Sequence, residues 1–161
     1  MRRTPSEDDS SSTKAPTALN AEKAGNSAEK ARVEPLLYEN ITKAIIDAFF
    51  AVYNKLGFGF LESVYCAALA YELRKRGHRV AREIAVPVFY DGHEIAKYRI
   101  DFVVDNAVVI EVKSTEVLNP RARRQLMNCL KATPLEVGLL LHFGPEPKFQ
   151  RLVASKEFRR S

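Results

Sequence analysis

No stretch of this 161-residue sequence stays apolar for long enough to span a membrane or to form the core of a signal peptide. The expectation is a cytoplasmic protein with no membrane partner. Cysteine is scarce: Cys66 and Cys129 are the two, each on an expected helix with no Cys or His at ligand spacing. That disfavours a zinc site and makes both small core residues of a reducing compartment. His78, His93 and His142 are scattered along the sequence, which also disfavours a Ser/His hydrolase. Aromatic residues are missing before Tyr38, and Pro5, Ser10-Ser11-Ser12, Pro16 and Pro35 fall in the same stretch. Residues 1–36 are therefore read as a disordered tail, in which 18–32 can turn transiently helical. The tail lacks net charge, with six basic and six acidic residues. The remainder of the chain holds 19 Lys and Arg against 14 Asp and Glu, which is the whole surplus of +5. Such a surplus suits a polyanion but is also what a soluble surface carries.

What is present is one domain, 37–155, large enough to bury a core, with a basic end at 156–161. Leu37, Tyr38, Ile41, Ile45, Ala48, Phe49, Val52 and Leu56 recur at helical spacing, predicting an amphipathic helix that stops before Gly57. After the break at Gly57 and Gly59, a second helix runs to Arg76 with Gly77 as its C-terminal cap. Strands are expected at 80–90, 95–104 and 107–113, the first two joined by an Asp91-Gly92 turn. Asn119-Pro120 opens a third helix with Ala122, Leu126, Cys129 and Leu130 as its buried stripe. An apolar strand follows at 137–142, and a short strand begins near Phe149. The fold class is α/β (α+β mixed sheet), with an αβββαβ order behind an additional first helix.

Charge is what buried strands ordinarily lack, because it is costly there without a compensating ion or partner. Yet Asp101, Glu111 and Lys113 are embedded in β-branched sequence. If residues 105–107 form the loop, 104 faces 108 and 101 faces 111, so both carboxylates project on one face roughly 5 Å apart. Lys113 shares that face. Two carboxylates that close call for a cation, and Mg²⁺ accepts carboxylate oxygens while keeping waters. A two-residue loop would instead put Glu111 on the other face, and the competing reading is an edge strand with a cross-strand ion pair.

Other charged residues are weighed against this cluster. Glu62 borders the apolar stripe of the second helix, where a first-turn acid also favours the helix dipole. Glu72 competes with it nearer the stripe's centre. Tyr65, three residues on, is placed either at the same site or in the core. A two-residue turn at 91–92 opposes 82 to 101, which sends Glu83 to the far face unless a bulge intervenes. Arg121, Arg123 and Arg124 cluster at the start of the third helix, against its dipole, as a phosphate-contacting or solvated basic face.

The segment Gly59-Phe-Leu-Glu62-Ser-Val-Tyr65, followed by Tyr71-Glu-Leu-Arg-Lys-Arg-Gly77, Arg99-x-Asp101, Glu111-Val-Lys113 and Gly138-Leu-Leu-Leu-His-Phe143, resembles the GxxExxY family of the PD-(D/E)XK nuclease superfamily. The likeness covers 37–155. It implies a restriction-endonuclease-like fold and metal-dependent hydrolysis of nucleic acid, DNA ahead of RNA. Asp101, Glu111 and Val112 would hold Mg²⁺ (or Mn²⁺), Lys113 would orient or activate the attacking water, and Glu62 would complete the site. Gln125 corresponds to the second-helix glutamine of RecB-like nucleases, and Tyr65, Arg121 and Arg124 join it as substrate contacts. Where those nucleases often carry Tyr four residues after the Gln, this chain has Cys129. The rival readings are a catalytically silent module of the same fold that binds nucleic acid or a protein, and a structural partner protein assembled as a homodimer.

Overall fold

The computed structural model describes residues 36–155, so the expectations for the tail ahead of Leu36 and for the basic end at 156–161 lie outside the described residues. The elements are α1 (Glu39–Leu56), α2 (Glu62–Lys75), β1 (Val80–Tyr90), β2 (His93–Val104), β3 (Val108–Lys113), α3 (Arg121–Ala132), β4 (Val137–Phe143) and β5 (Pro147–Val153). The strands form one sheet in chain order. β3 and β4 run parallel, because α3 carries the chain back across the sheet between them, and the other pairs are antiparallel. This is the expected α/β architecture. Among the described residues no helix is long and apolar enough to cross a membrane.

β3 and β4 are almost continuously apolar and buried because both their faces are covered. On one face α1 and α2 set Ile45, Phe49, Tyr65 and Leu69 against Phe102, Ile110, Val112 and Leu139. On the other, α3 sets Leu126 and Leu130 against Val109, Leu140 and Leu152. The approach of α3 depends on Gly138: a Cβ there would lie 2.9 Å from Leu126 Cδ1. Asn119 performs the capping its position suggested, its Oδ1 accepting the Arg121 N–H at 2.9 Å. At the far end of α2, Gly77 takes φ 90° and the His78 N–H returns to the Leu73 carbonyl at 3.1 Å.

The loop joining β2 to β3 has the parity that the site requires. Asp105 and Asn106 both adopt positive φ, as these two residue types tolerate, and the pairs are 104 with 108, 103 with 109 and 102 with 110. Asp105 also clamps the preceding connection. Its Oδ2 lies 2.7 Å from His78 Nδ1 and its Oδ1 accepts the Arg79 N–H at 2.8 Å.

β1 differs from expectation by one residue. The Asp91-Gly92 turn forms with Tyr90 opposite His93, but a bulge between Val88 and Phe89 shifts the register, so that 82 faces 102 and 84 faces 100. The bulge corrects the placing of Glu83: it now stands across from Asp101, with φ 54°.

Candidate active site

The cluster forms where the ladder between β2 and β3 ends. Carried one residue beyond the pair 102 with 110, the register sets Asp101 against Glu111, but main-chain pairing stops there. Asp101 Oδ2 instead accepts the Val112 N–H at 2.7 Å, so a side chain takes over a main-chain acceptor's role. At the same level the alternation of β2 breaks: Ile100 packs with the α3 cluster and Phe102 with the α1/α2 cluster. Asp101 sits at this switch, opposite Glu83 in its left-handed conformation.

Glu111 is 2% exposed. Its Oε1 accepts a hydrogen bond from Lys113 Nζ at 2.6 Å, while the buried Oε2 has no partner. Burial, then the charge of Asp101, push its carboxyl up to about 7 against the pull of Lys113. For Lys113, burial works against the ammonium, yet the hydrogen bond and charge of Glu111, with Glu62 and Asp101 behind it, raise its pKa. The same acids reach both helices. Burial pushes the Cys66 thiol up to about 12, aided by Asp101 and Glu62, and Cys129 to about 11, aided by Glu111 and Asp101.

Glu62 is half-buried in the first turn of α2 and lines an open cleft with Ser63, Cys66, Arg82, Arg99 and Asp101. Glu72, its competitor, is tied to Arg76 at 3.0 Å near the other end of the helix. Gln125 is exposed one turn before Cys129, on the side of α3 that feels Glu111 and Asp101. Arg121 and Arg124 are exposed on α3. Tyr65 is not available to a substrate. It is fully buried, stacked on Phe143 with centroids 4.3 Å apart, and its hydroxyl donates to the Gly57 carbonyl at 2.5 Å and accepts the Phe60 N–H at 3.3 Å. Its position in the helical stripe puts it in the core, so it shapes the loop before Glu62.

Two residues that the sequence reading passed over also shape the site. Ser114, next to Lys113, donates from Oγ to the Phe60 carbonyl at 2.8 Å, joining the ends of β3 and the pre-α2 loop. His142, beside Lys113 in the parallel register, is 3% exposed, and its Nε2 lies 2.7 Å from the Thr115 carbonyl oxygen. Its ring is closed in by Gly144, where a Cβ would come 2.4 Å from Cε1. The signal was there in principle: a lone imidazole within Gly138-Leu-Leu-Leu-His-Phe143 has no packing rationale of its own.

The oxygen groups at this place are the carboxylates of Asp101 and Glu111. Among the described residues no three of His, Cys, Asp and Glu gather as a ready-made metal cage. A buried carboxylate oxygen without a partner, near a second acid, suits a hydrated hard cation that takes few protein ligands.

A sequence profile for the PD-(D/E)XK nuclease superfamily matches residues 39–152. No curated protein matches the chain. Among solved structures, one titled "Crystal structure of SSO0001" is 19% identical, with a TM-score of 0.49, over 75% of this chain and 62% of that one.

Proposed function

Since this chain belongs to the PD-(D/E)XK nuclease superfamily, we propose that it hydrolyses phosphodiester bonds of nucleic acid, DNA ahead of RNA, with Mg²⁺ or Mn²⁺ at Asp101, Glu111 and Val112. The observation that carries this reading is Glu111: a buried carboxylate with one orphaned oxygen, close to Asp101 and bonded to the lysine two residues on. A bound divalent cation there supplies polarisation of the phosphoryl oxygen and a water of lowered pKa.

The chain's own residues do the rest. Asp101, by taking the Val112 N–H, fixes the main chain between Glu111 and Lys113. Glu111 holds Lys113 by one of its three donors, and the others orient the attacking water or meet charge developing on the phosphate. Glu62 adds a carboxylate from the helix side, while Gln125, Arg121 and Arg124 contact the substrate from α3. The likeness of segment 59–65 to the GxxExxY signature, and Gln125 as a counterpart of the RecB-like glutamine, support assigning the protein to that group.

One observation favours a second reading, a catalytically silent module that binds nucleic acid or a protein in the same groove: among the described residues no three acids gather as a cage. Calorimetric titration of Mg²⁺ or Mn²⁺ into wild type beside Asp101→Ala separates the two. The nuclease reading requires saturable binding that Asp101→Ala loses, and wild type that takes up neither ion leaves the silent module.

A further inference from the structure

Resting on that reading, we infer that the substrate is unpaired: single-stranded nucleic acid, or a frayed end, whose bases stack on an aromatic loop at the mouth of the site. The loop of residues 57–61 leaves Phe58 37%, Phe60 47% and Leu61 76% exposed, an apolar patch of the kind that marks a binding surface. It is not a loose segment. Gly57 and Gly59 take φ of 67° and 119°, which other residues rarely adopt, and the buried Tyr65 hydroxyl holds the Gly57 carbonyl and the Phe60 N–H.

Its position argues for the occupant. The bond from Ser114 Oγ to the Phe60 carbonyl fixes the loop beside the residue that follows Lys113, and Glu62 begins the helix directly after Leu61. Glu62 also lines the cleft that contains Arg82 and Arg99. Aromatic rings therefore border the acids through this loop, and guanidinium groups border them through the cleft. Among the described residues Arg99 pairs with Glu83, at 2.7 Å between exposed side chains, a pairing weak enough to exchange for a phosphate. Arg82 lies over the Phe102 ring, 5.5 Å from its centroid. A ligand that offers both flat apolar faces and anions fits these surfaces. Unpaired bases offer those faces, whereas a duplex hides them in its own stack.

The test compares anisotropy of a labelled oligothymidylate and of a labelled blunt duplex of equal length, in Ca²⁺, for wild type, Phe58→Ala, Phe60→Ala and Phe60→Trp. Thermal melts check the fold, and light scattering checks the mass. Tighter binding of the single strand is expected, weakened on the order of tenfold by either alanine and retained by tryptophan. Equal affinity for the two probes, or alanine variants that bind oligothymidylate like wild type, overturns the inference. So does an alanine variant that halves the particle mass while leaving the single strand bound, since the patch would then face a second copy of the chain. A wild type that cleaves duplex but not single strand in Mg²⁺ sinks this inference alone. Phenylalanine-dependent single-strand binding with no cleavage in Mg²⁺ or Mn²⁺ sinks the nuclease reading alone.

Discussion

Glu111→Gln in metal-free protein is the perturbation that most directly separates a cation site from a structural ion pair. The carboxylate is 2% exposed, and one oxygen lacks a partner. A carboxyl whose folded pKa lies above its unfolded value contributes stability that is fully present below the unfolded value. That stability is lost as the pH rises through the folded one. Here the window runs from 4.5 to about 7. The corresponding loss at higher pH is on the order of 3 kcal/mol, already net of the attraction of Lys113. Glutamine keeps the shape and removes the charge. Above about pH 7 the variant should therefore exceed wild type by up to about 3 kcal/mol, a rise in Tm on the order of 10 °C. At about pH 5 the two should nearly coincide. Thermal melts in EDTA at both pH values read this directly, and added Mg²⁺ should raise wild type at the higher pH while leaving the variant unmoved. A variant less stable than wild type at both pH values, with no pH slope to remove, refutes the reasoning and makes Glu111 the partner that Lys113 needs.

Lys113→Ala should bind Mg²⁺ within a few-fold of wild type yet lose at least about a hundredfold in cleavage rate, whereas Asp101→Ala should lose both, as calorimetry and a cleavage assay will show. Asp105→Ala should destabilise the domain by about 2 kcal/mol in denaturant melts, because it releases the bonds from His78 and Arg79. Burial acts to raise the Asp105 pKa, but those bonds outweigh it and hold the group below its ordinary value of 3.8. The contribution is thus present above about pH 4 and disappears as the pH falls further, and acid titration of wild type against the variant should show the two converging. Tyr65→Phe removes the hydroxyl that holds the Gly57 carbonyl and Phe60 N–H, and should cost roughly 1–2 kcal/mol in thermal stability. Amide exchange of Phe60 should quicken in the same variant.

The hairpin that carries the acids was legible because its determinants are local. Asp105 and Asn106 tolerate left-handed backbone, a three-residue loop fixes the parity, and the parity fixes which residue meets Glu111. The register of β1 was not legible, because it depends on a bulge that no turn residue announces, with Ile95 left between the pairs Phe89–Glu94 and Val88–Ala96. Pro87 marks β1 as an edge strand, not the place of the bulge. Periodicity gave Tyr65 two roles and only burial decided between them, because a residue on an amphipathic stripe serves either a core or a cleft. His142 was discounted as one of three scattered histidines. Its proximity to Lys113 arises from the parallel pairing of β3 with β4, a long-range fact that one-dimensional spacing does not contain.

The site lies where the sheet gives up its regularity, and the two facts have one cause. A carboxylate inside a complete ladder would face apolar neighbours on both sides, with its charge uncompensated. Ending the ladder at 102 and 110 leaves the Val112 N–H without a strand carbonyl, and Asp101 supplies the acceptor in its place. That exchange satisfies a main-chain donor and holds one acid in position, while the face switch between Ile100 and Phe102 opens the cleft toward Glu62 and Arg82. Glu111 has no equivalent relief for its second oxygen. Among the described residues Glu111 Oε2 is thus one of three buried side-chain atoms without a partner, with His142 Nδ1 and Arg151 Nε, and it lies beside a lysine in an almost wholly buried strand. Glutamine at that position, which keeps the shape and removes the charge, should stabilise the sheet above about pH 7, and that gain is what the proposed cation site predicts.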